Sequence, residues 1–373
     1  MRFDVAVVGA GIQGSSVALR LAQAGRTVAV LERAIPGAEA SSAAGGILSP
    51  GVEAVEPGPF HALCRASLDR YEAFAREVEA LSGMSVGFRR LGTLEIALDD
   101  AHATILAARA EKMLRSALPV EVLDDAAARR LEPALSPEAR GALYFPDEAS
   151  LEPRLLARAV YVAAARAGAT FLTGQVKRIA TGGGGVEGVD HDRGRIEAER
   201  VVLAAGSWSL LVEGHGLPAG SVRPVRGQIA ILDTRPPLLA RVVFSGHGYV
   251  VPRTDGRILV GSTMEEVGFE KAVTAGGLRD VLAIAIGIAP ALAHAPVVET
   301  WSNFRPASPD GAPILGAGTT PGLFYATGHT RNGILLAPIT ADAIAAEILG
   351  RPAPVDLAPF SPARLAGMPG KRG

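Results

Sequence analysis

The chain has a single cysteine, Cys64, in 373 residues. No disulfide can form within it, and neither a CxxC redox pair nor a cysteine zinc site is available. That scarcity predicts a reducing compartment, and the expected location is the cytoplasm. An excess of one charge is also missing: 37 Lys and Arg stand against 38 Asp and Glu, for a net charge of −1. Without a strong field of either sign, nucleic acid and anionic membrane are not expected partners. Low complexity is absent as well, because the 44 glycines and 26 prolines are dispersed and no internal repeat or long linker occurs. At the amino end Arg2 and Asp4 lead directly into an apolar strand, which predicts no secretory leader. The carboxyl end, PGKRG, matches no lipidation signal or peroxisomal address.

The last absence is a long unbroken apolar run. Residues 281–298 carry no Asp, Glu, Lys or Arg. A membrane-spanning helix needs ~20 apolar residues, and Gly287, Pro290 and Pro296 interrupt this stretch. Helix is expected to stop near Ala289. Two readings stay open: burial in the core or at the interface of a homo-oligomer, or contact with a membrane or a membrane-bound partner.

What is present points to a globular α/β chain with room for two domains: 48% of residues are hydrophobic and 20% charged. Residues 3–8 read as a buried parallel strand, 15–24 as a helix closed by Gly25, and 27–31 as a second strand. Together they make a β-α-β unit. Helical periodicity returns at 59–81, 100–117 and 154–167. After Ala169 the period drops to two, which predicts strands at 171–173, 176–180, 186–189, 195–198 and 201–204. The four glycines at 182–185 turn a hairpin; no Lys-Ser/Thr or helix follows to make them a phosphate loop. Further strands are expected at 228–232, 249–252, 258–260 and 323–327, and a final helix at 334–349 closed by Gly350. This alternation predicts two interleaved domains.

GAGIQG at 9–14 lies between the first strand and helix. Gly9 permits the tight turn, Gly11 lets backbone approach a pyrophosphate, and Gly14 lets the helix approach the strand. The first turn, at Ile12 and Gln13, presents N–H groups to phosphate. Glu32 ends the second strand, where a carboxylate accepts from ribose hydroxyls, and Arg33 beside it keeps a 2′-phosphate in view. SSAAGGI at 41–47 then offers a stretch of small residues on which a planar ring could lie, or else a tight loop under the sheet. Arg305 precedes Pro306, which biases it to extended backbone and puts Trp301, Asn303 and Arg305 on one strand face. A guanidinium forks two donors onto a carboxylate. Trp208 and Trp301 read as packing residues, and Cys64 as an inert helix residue.

With VVLAAGSWS at 201–209, GYVVPR at 248–253, GSTM at 261–264, FRPASPDGAPILG at 304–316 and ATGHTRNGILLAP at 326–338, nearly the whole chain resembles the D-amino-acid oxidase family of FAD enzymes, its bacterial glycine oxidase branch above all. The resemblance implies a mixed α/β fold: a Rossmann-like FAD domain of the glutathione-reductase type (1–84, 150–222 and 306–352), interleaved with an antiparallel-sheet substrate domain (85–149 and 223–305) and followed by a tail at 353–373. It implies non-covalent FAD, since no cysteine lies in the late segment and no histidine in 41–47. The implied cofactor residues are Gly9, Gly11, Ile12, Gln13, Gly14, Glu32, Arg33, Ala40, Ser41, Gly45, Gly46, Ile47, Val176 and Gly206. To these it adds the late run His329, Thr330, Arg331, Asn332, Gly333, Ile334 and Leu335. The implied substrate residues are Tyr249, Arg305, Arg331, His247, Met264 and Ile47, with Arg305 and Tyr249 on a carboxylate. The resemblance further implies that no side chain acts as acid or base, that hydride passes from the carbon beside nitrogen to flavin N5, and that molecular oxygen is the acceptor. The implied substrates are glycine, sarcosine or small D-amino acids, with a role in thiamine biosynthesis. A dehydrogenase using another acceptor and a non-catalytic flavoprotein subunit remain as alternatives.

Overall fold

Alternating apolar and glycine-rich segments at the amino end fold as a parallel unit in the computed structural model, which describes residues 1–54, 56–116, 118–246 and 248–367. Strand Arg2–Val8 sits at the centre of an eight-stranded sheet, parallel to Val28–Glu32 on one side and Gly194–Leu203 on the other. Thr170–Thr173 continues the parallel order outward, as does Leu323–Thr327 on the far side, where Ile314–Ala317 adds an antiparallel edge. Covering both faces explains the unbroken apolar reading of 5–8, since Val5, Ala6 and Val7 are fully buried. Helices Ile12–Gln23, Pro59–Ser82, Pro153–Arg166 and Ala337–Ile348 close one face. The hairpin Val176–Gly182 and Gly185–His191 lies with the other.

The second sheet also has eight strands, ordered Val297–Ala307, Arg223–Asp233, Arg257–Gly261, Gly248–Pro252, Val242–Ser245, Thr93–Ile96, Ala142–Phe145 and Glu121–Leu123. It is antiparallel except where Val242–Ser245 runs parallel to Thr93–Ile96. All strands of the first sheet fall within 2–203 and 314–327, and those of the second within 93–145 and 223–307. We propose the interleaved division given above as the domain boundary, with Val297–Ala307 running across its last junction.

Two expectations change. The strands expected at 195–198 and 201–204 are one strand, Gly194–Leu203, because the pairing with Arg2–Val8 runs on through Glu199 and Arg200 between them. The last helix starts at Ala337 rather than residue 334; residues 328–336 form turns, with Thr330 at φ 48°. Over 281–298 the helix stops where expected: Ala275–Ile288 ends at Ala289, a short turn Pro290–His294 follows, and Val297 opens a strand. Val281, Ala285, Ile288 and Leu292 are buried against the second sheet. Among the described residues no helix is long and apolar enough to cross a membrane. Ala117, at the end of the 100–117 helix expectation, lies outside the described residues; the helix runs Asp100–Arg115.

Candidate active site

A cavity of about 250 Å³ runs from the first glycine turn, across the small-residue segment, to the second sheet. A separate cavity beside Glu148 holds only about 10 Å³. At the glycine end, backbone comes too close for side chains. Gly9 has φ +99°, and a Cβ on it would lie 2.7 Å from the Ala204 carbonyl oxygen. A Cβ on Gly14 would lie 2.0 Å from the Gly9 oxygen, so Gly14 lets helix Ile12–Gln23 start against the strand. Gly14 does not itself line the cavity; Gly9, Gly11, Ile12 and Gln13 do. The helix has no side-chain cap at Gly11, while the Ile12 N–H donates to Ser41 Oγ at 2.8 Å. Glu32 accepts the Ala10 N–H at 3.0 Å through Oε2 and the Ala34 N–H at 3.1 Å through Oε1. The turn therefore fixes its carboxylate at the cavity wall.

Arg33 turns back over Trp208, its guanidinium carbon 3.9 Å from the ring centroid. It also pairs with Glu39 at 2.9 Å, and Lys271 of the other sheet's loop reaches Glu39 at 2.8 Å. Trp208 lines the cavity while stacking on Phe269, so the packing role expected of it is only half of its placement. Ala40, Ser41, Gly45, Gly46, Ile47, Val176 and Gly206 line the cavity too. The small residues at 45 and 46 have a further cause. A Cβ on Gly45 would press on the Tyr249 ring at 3.2 Å, and one on Gly46 would strike the Leu151 oxygen at 2.1 Å.

The late segment closes the wall. Gln13 Nε2 donates to the Gly333 oxygen at 2.6 Å, tying the first helix to this loop, and its Oε1 is buried without a partner. His329 is buried and bonded to Thr340 at 3.1 Å; burial pushes its pKa down to about 3, so the ring is neutral. Thr330 takes a left-handed conformation that a β-branched residue rarely adopts, held by its N–H on the Pro306 oxygen at 2.9 Å. Arg331 pairs with Glu53 at 2.9 Å. Asn332, Gly333 and Ile334 line the cavity. Leu335 does not: its side chain is in the core and its carbonyl accepts from Ser67 at 2.6 Å.

At the second sheet Arg305 lies across Gly227, where a Cβ would sit 2.4 Å from its guanidinium. Arg305 donates to the Thr263 carbonyl at 3.1 Å and the Ser262 hydroxyl at 2.5 Å. Burial is the main force pushing its pKa below the arginine norm; at neutral pH a guanidinium stays charged even so. Tyr249, buried between Gly45 and Gly261, faces the same space. Ile47, Tyr249 and Trp301 share a hydrophobic cluster. Met264 is a correction: it is 60% exposed and outside the cavity lining, because beyond strand Arg257–Gly261 the chain stays bridged to Arg226 through Glu265, and the residue between Thr263 and Glu265 faces outward. His247 lies outside the described residues.

The residues present fit an extended dinucleotide: a side-chain-free turn at a helix start, a fixed carboxylate, and an unpaired buried amide oxygen beside them. A model for "FAD dependent oxidoreductase" proteins (DAO) matches residues 4–347. The chain belongs to that family. It is 37% identical to the bifunctional protein ThiO/ThiG of Synechocystis over 97% of this chain and 54% of that protein, so it spans about half the length of that relative. The crystal structure of glycine oxidase from Geobacillus kaustophilus superposes with TM-score 0.93 at 34% identity, over 96% of this chain and 98% of that one. The crystal structure of iminodiacetate oxidase from Chelativorans sp. BNC1 gives TM-score 0.87 at 30% identity, over 96% and 98%.

As an FAD-dependent oxidoreductase, the chain has residues at its cavity to which sequence reasoning gave no such place: Glu39, Glu53 and Gly227 line it, as do Trp208, read only as packing, and Asn303, placed only on the strand face of Arg305, while Lys271 and Gly261 support it. Glu53 and Arg331 are far apart in sequence, so no spacing signals the pair. Gly227 stands opposite Asn303 on the neighbouring strand, and only sheet register places it under Arg305.

Proposed function

We propose that the chain oxidises a small amino acid at the carbon beside its nitrogen, with glycine, sarcosine and small D-amino acids as substrates. The observation that carries this reading is Arg305: a guanidinium in a buried cavity whose partners are a carbonyl and a hydroxyl, with no carboxylate in ion-pair contact among the described residues. A buried, uncompensated cation is costly unless a ligand anion completes it. Arg305 binds the substrate carboxylate as a fork, and the Tyr249 hydroxyl adds a donor from strand Gly248–Pro252 of the same sheet. Gly9, Gly11, Ile12, Gln13, Glu32 and residues 329–334 hold FAD without a covalent bond. When bound, FAD supplies the two-electron acceptor this oxidation needs. The protein's share is binding and orientation of the substrate. The substrate loses a hydride and a proton to become an imine, which water converts to an oxo acid and ammonia, or a primary amine. Molecular oxygen takes the electrons and leaves as hydrogen peroxide. An imine of glycine made this way would serve thiamine biosynthesis.

Anaerobic mixing of the yellow holoprotein with glycine, sarcosine, D-alanine, D-proline and L-proline tests this. Glycine and sarcosine are expected to bleach the flavin, and peroxide is expected to match substrate used in air. Bleaching without peroxide, with electrons passing only to a dye, would move the assignment to a dehydrogenase. No bleaching by any amino acid would remove it.

A further inference from the structure

The charged side chains lining the cavity are Glu32, Arg33, Glu39, Glu53, Arg305 and Arg331. Toward the glycine turn, Glu32 is held by two backbone N–H groups, and Arg33 is answered by Glu39. Toward the second sheet, Arg331 is answered by Glu53 at 2.9 Å, whereas among the described residues Arg305 has only neutral partners. The substrate end therefore holds two guanidinium groups and one carboxylate, with one positive charge left over.

Glu53 is held firmly for this purpose. It ends the short turn Pro50–Glu53. The turn's Gly51 is gripped from both sides: its N–H donates to the buried Glu148 carboxyl at 2.6 Å, and its carbonyl accepts from Arg109, which also pairs with Glu95. The Glu53 side chain is only 13% exposed against 35% for Arg331. An exposed ion pair of long side chains exchanges readily with solvent and ligand; a shielded acid on a clamped turn keeps its partner engaged.

Resting on the proposed amino-acid oxidation, we infer that Glu53 is a specificity residue. By neutralising Arg331 it sets the site for substrates with one carboxylate and disfavours those with a second anionic group. A single net cation matches a monocarboxylate whose amine is neutral at the moment of reaction. A dicarboxylate brings its second anion beside Glu53, where Arg331 is already occupied.

The test uses holoprotein and unreactive anions, read as perturbation of the bound flavin's spectrum, together with kcat/KM for sarcosine and iminodiacetate. In the unmodified protein acetate binds at least as tightly as malonate, and sarcosine is the better substrate. Glu53→Gln raises the count to two positive charges: malonate affinity rises about 10-fold more than acetate affinity, and the iminodiacetate-to-sarcosine ratio rises in step. Arg331→Gln leaves Glu53 bare and weakens both anions. The double variant restores one net charge and returns the malonate-to-acetate ratio toward that of the unmodified protein, which a merely structural pair would not do. An unmodified protein that prefers malonate and iminodiacetate, or ratios that stay level across the three variants, overturns the inference. Should Glu53→Gln not fold, the unmodified protein and Arg331→Gln still decide it. If sarcosine and glycine leave the unmodified flavin oxidised, the proposed oxidation itself fails; level ratios in a protein that does oxidise them sink only the role of Glu53.

Discussion

Arg305 directs its two terminal nitrogens at Thr263 and Ser262, and Gly227 beneath it leaves no Cβ to lift it away. Both facts make it a residue whose loss is read in catalysis rather than in folding. Truncating one partner of a buried, hydrogen-bonded charge pair costs ~2–5 kcal/mol. Arg305→Ala is therefore expected to lower kcat/KM for amino acids by about 100-fold or more, while the variant still purifies with FAD. Unchanged kcat/KM would remove the carboxylate contact. Gly227→Ala asks the same question from below. A Cβ 2.4 Å from the guanidinium must displace it, so KM is expected to rise with FAD content unaltered. Steady-state kinetics with flavin quantitation checks both. Arg305 and Tyr249 were legible because each stands in a local string that carries its own signal. Glu53, Gly227 and Gly261 were not, since their relevance arises only where distant strands and turns meet. Met264 shows the converse: two residues beyond Thr263's neighbour Ser262, a matching string turns outward, and the side chain meets water.

The turn Pro50–Glu53 is an element too short to stand alone, and Glu148 behind it supplies much of its support. Burial pushes the Glu148 pKa up to about 8 from its ordinary 4.5. A carboxyl with a raised folded value contributes stability that is present below 4.5 and is lost as pH rises toward 8. His329 has the opposite sign: its folded value of about 3 lies below the ordinary 6.5, so its contribution is present above 6.5 and is lost as pH falls toward 3. Between pH 6.5 and 8 the Glu148 effect stands clear of His329. The melting temperature is expected to fall across that window, and Glu148→Gln to flatten the fall while keeping an acceptor for the Gly51 N–H. Melts of both proteins at the two pH values check this; parallel slopes would contradict it. Element boundaries were readable where a cap or glycine marks them, as at Gly25 and Gly350, both at positive φ. The start of the last helix was not. Ile334, Leu335 and Leu336 are apolar like the helix that follows, yet they are drawn into turns by Tyr71 and Ser67, which bond the carbonyls of Ile334 and Leu335.

Across the whole molecule, one cavity is walled by the first turn of the chain, by a loop more than 300 residues later that Gln13 ties to it, and by the second sheet. A ligand filling that space contacts elements from both sheets and binds only the folded chain. FAD removal is therefore expected to lower the melting temperature, and re-addition at 100 times its Kd to recover about 2.7 kcal/mol; melts that ignore FAD would show that the cavity is not its site. The order of strands within each sheet had no sequence signal, because pairing joins segments as distant as 2–8 and 194–203. The apolar stretch at 281–298 illustrates why composition alone misleads: its buried residues are the inner face of one helix and Leu292 of the turn after it, and its end belongs to a strand.

The most direct test of the account compares glycine with methylamine, which has the same nitrogen and a C–H beside it but no carboxylate. Both are mixed anaerobically with the holoprotein at equal concentration, and flavin bleaching is followed. Glycine is expected to reduce the flavin, and methylamine to leave it oxidised. Equal bleaching by the two would mean that Arg305 holds no carboxylate, and the reading built on it would fall.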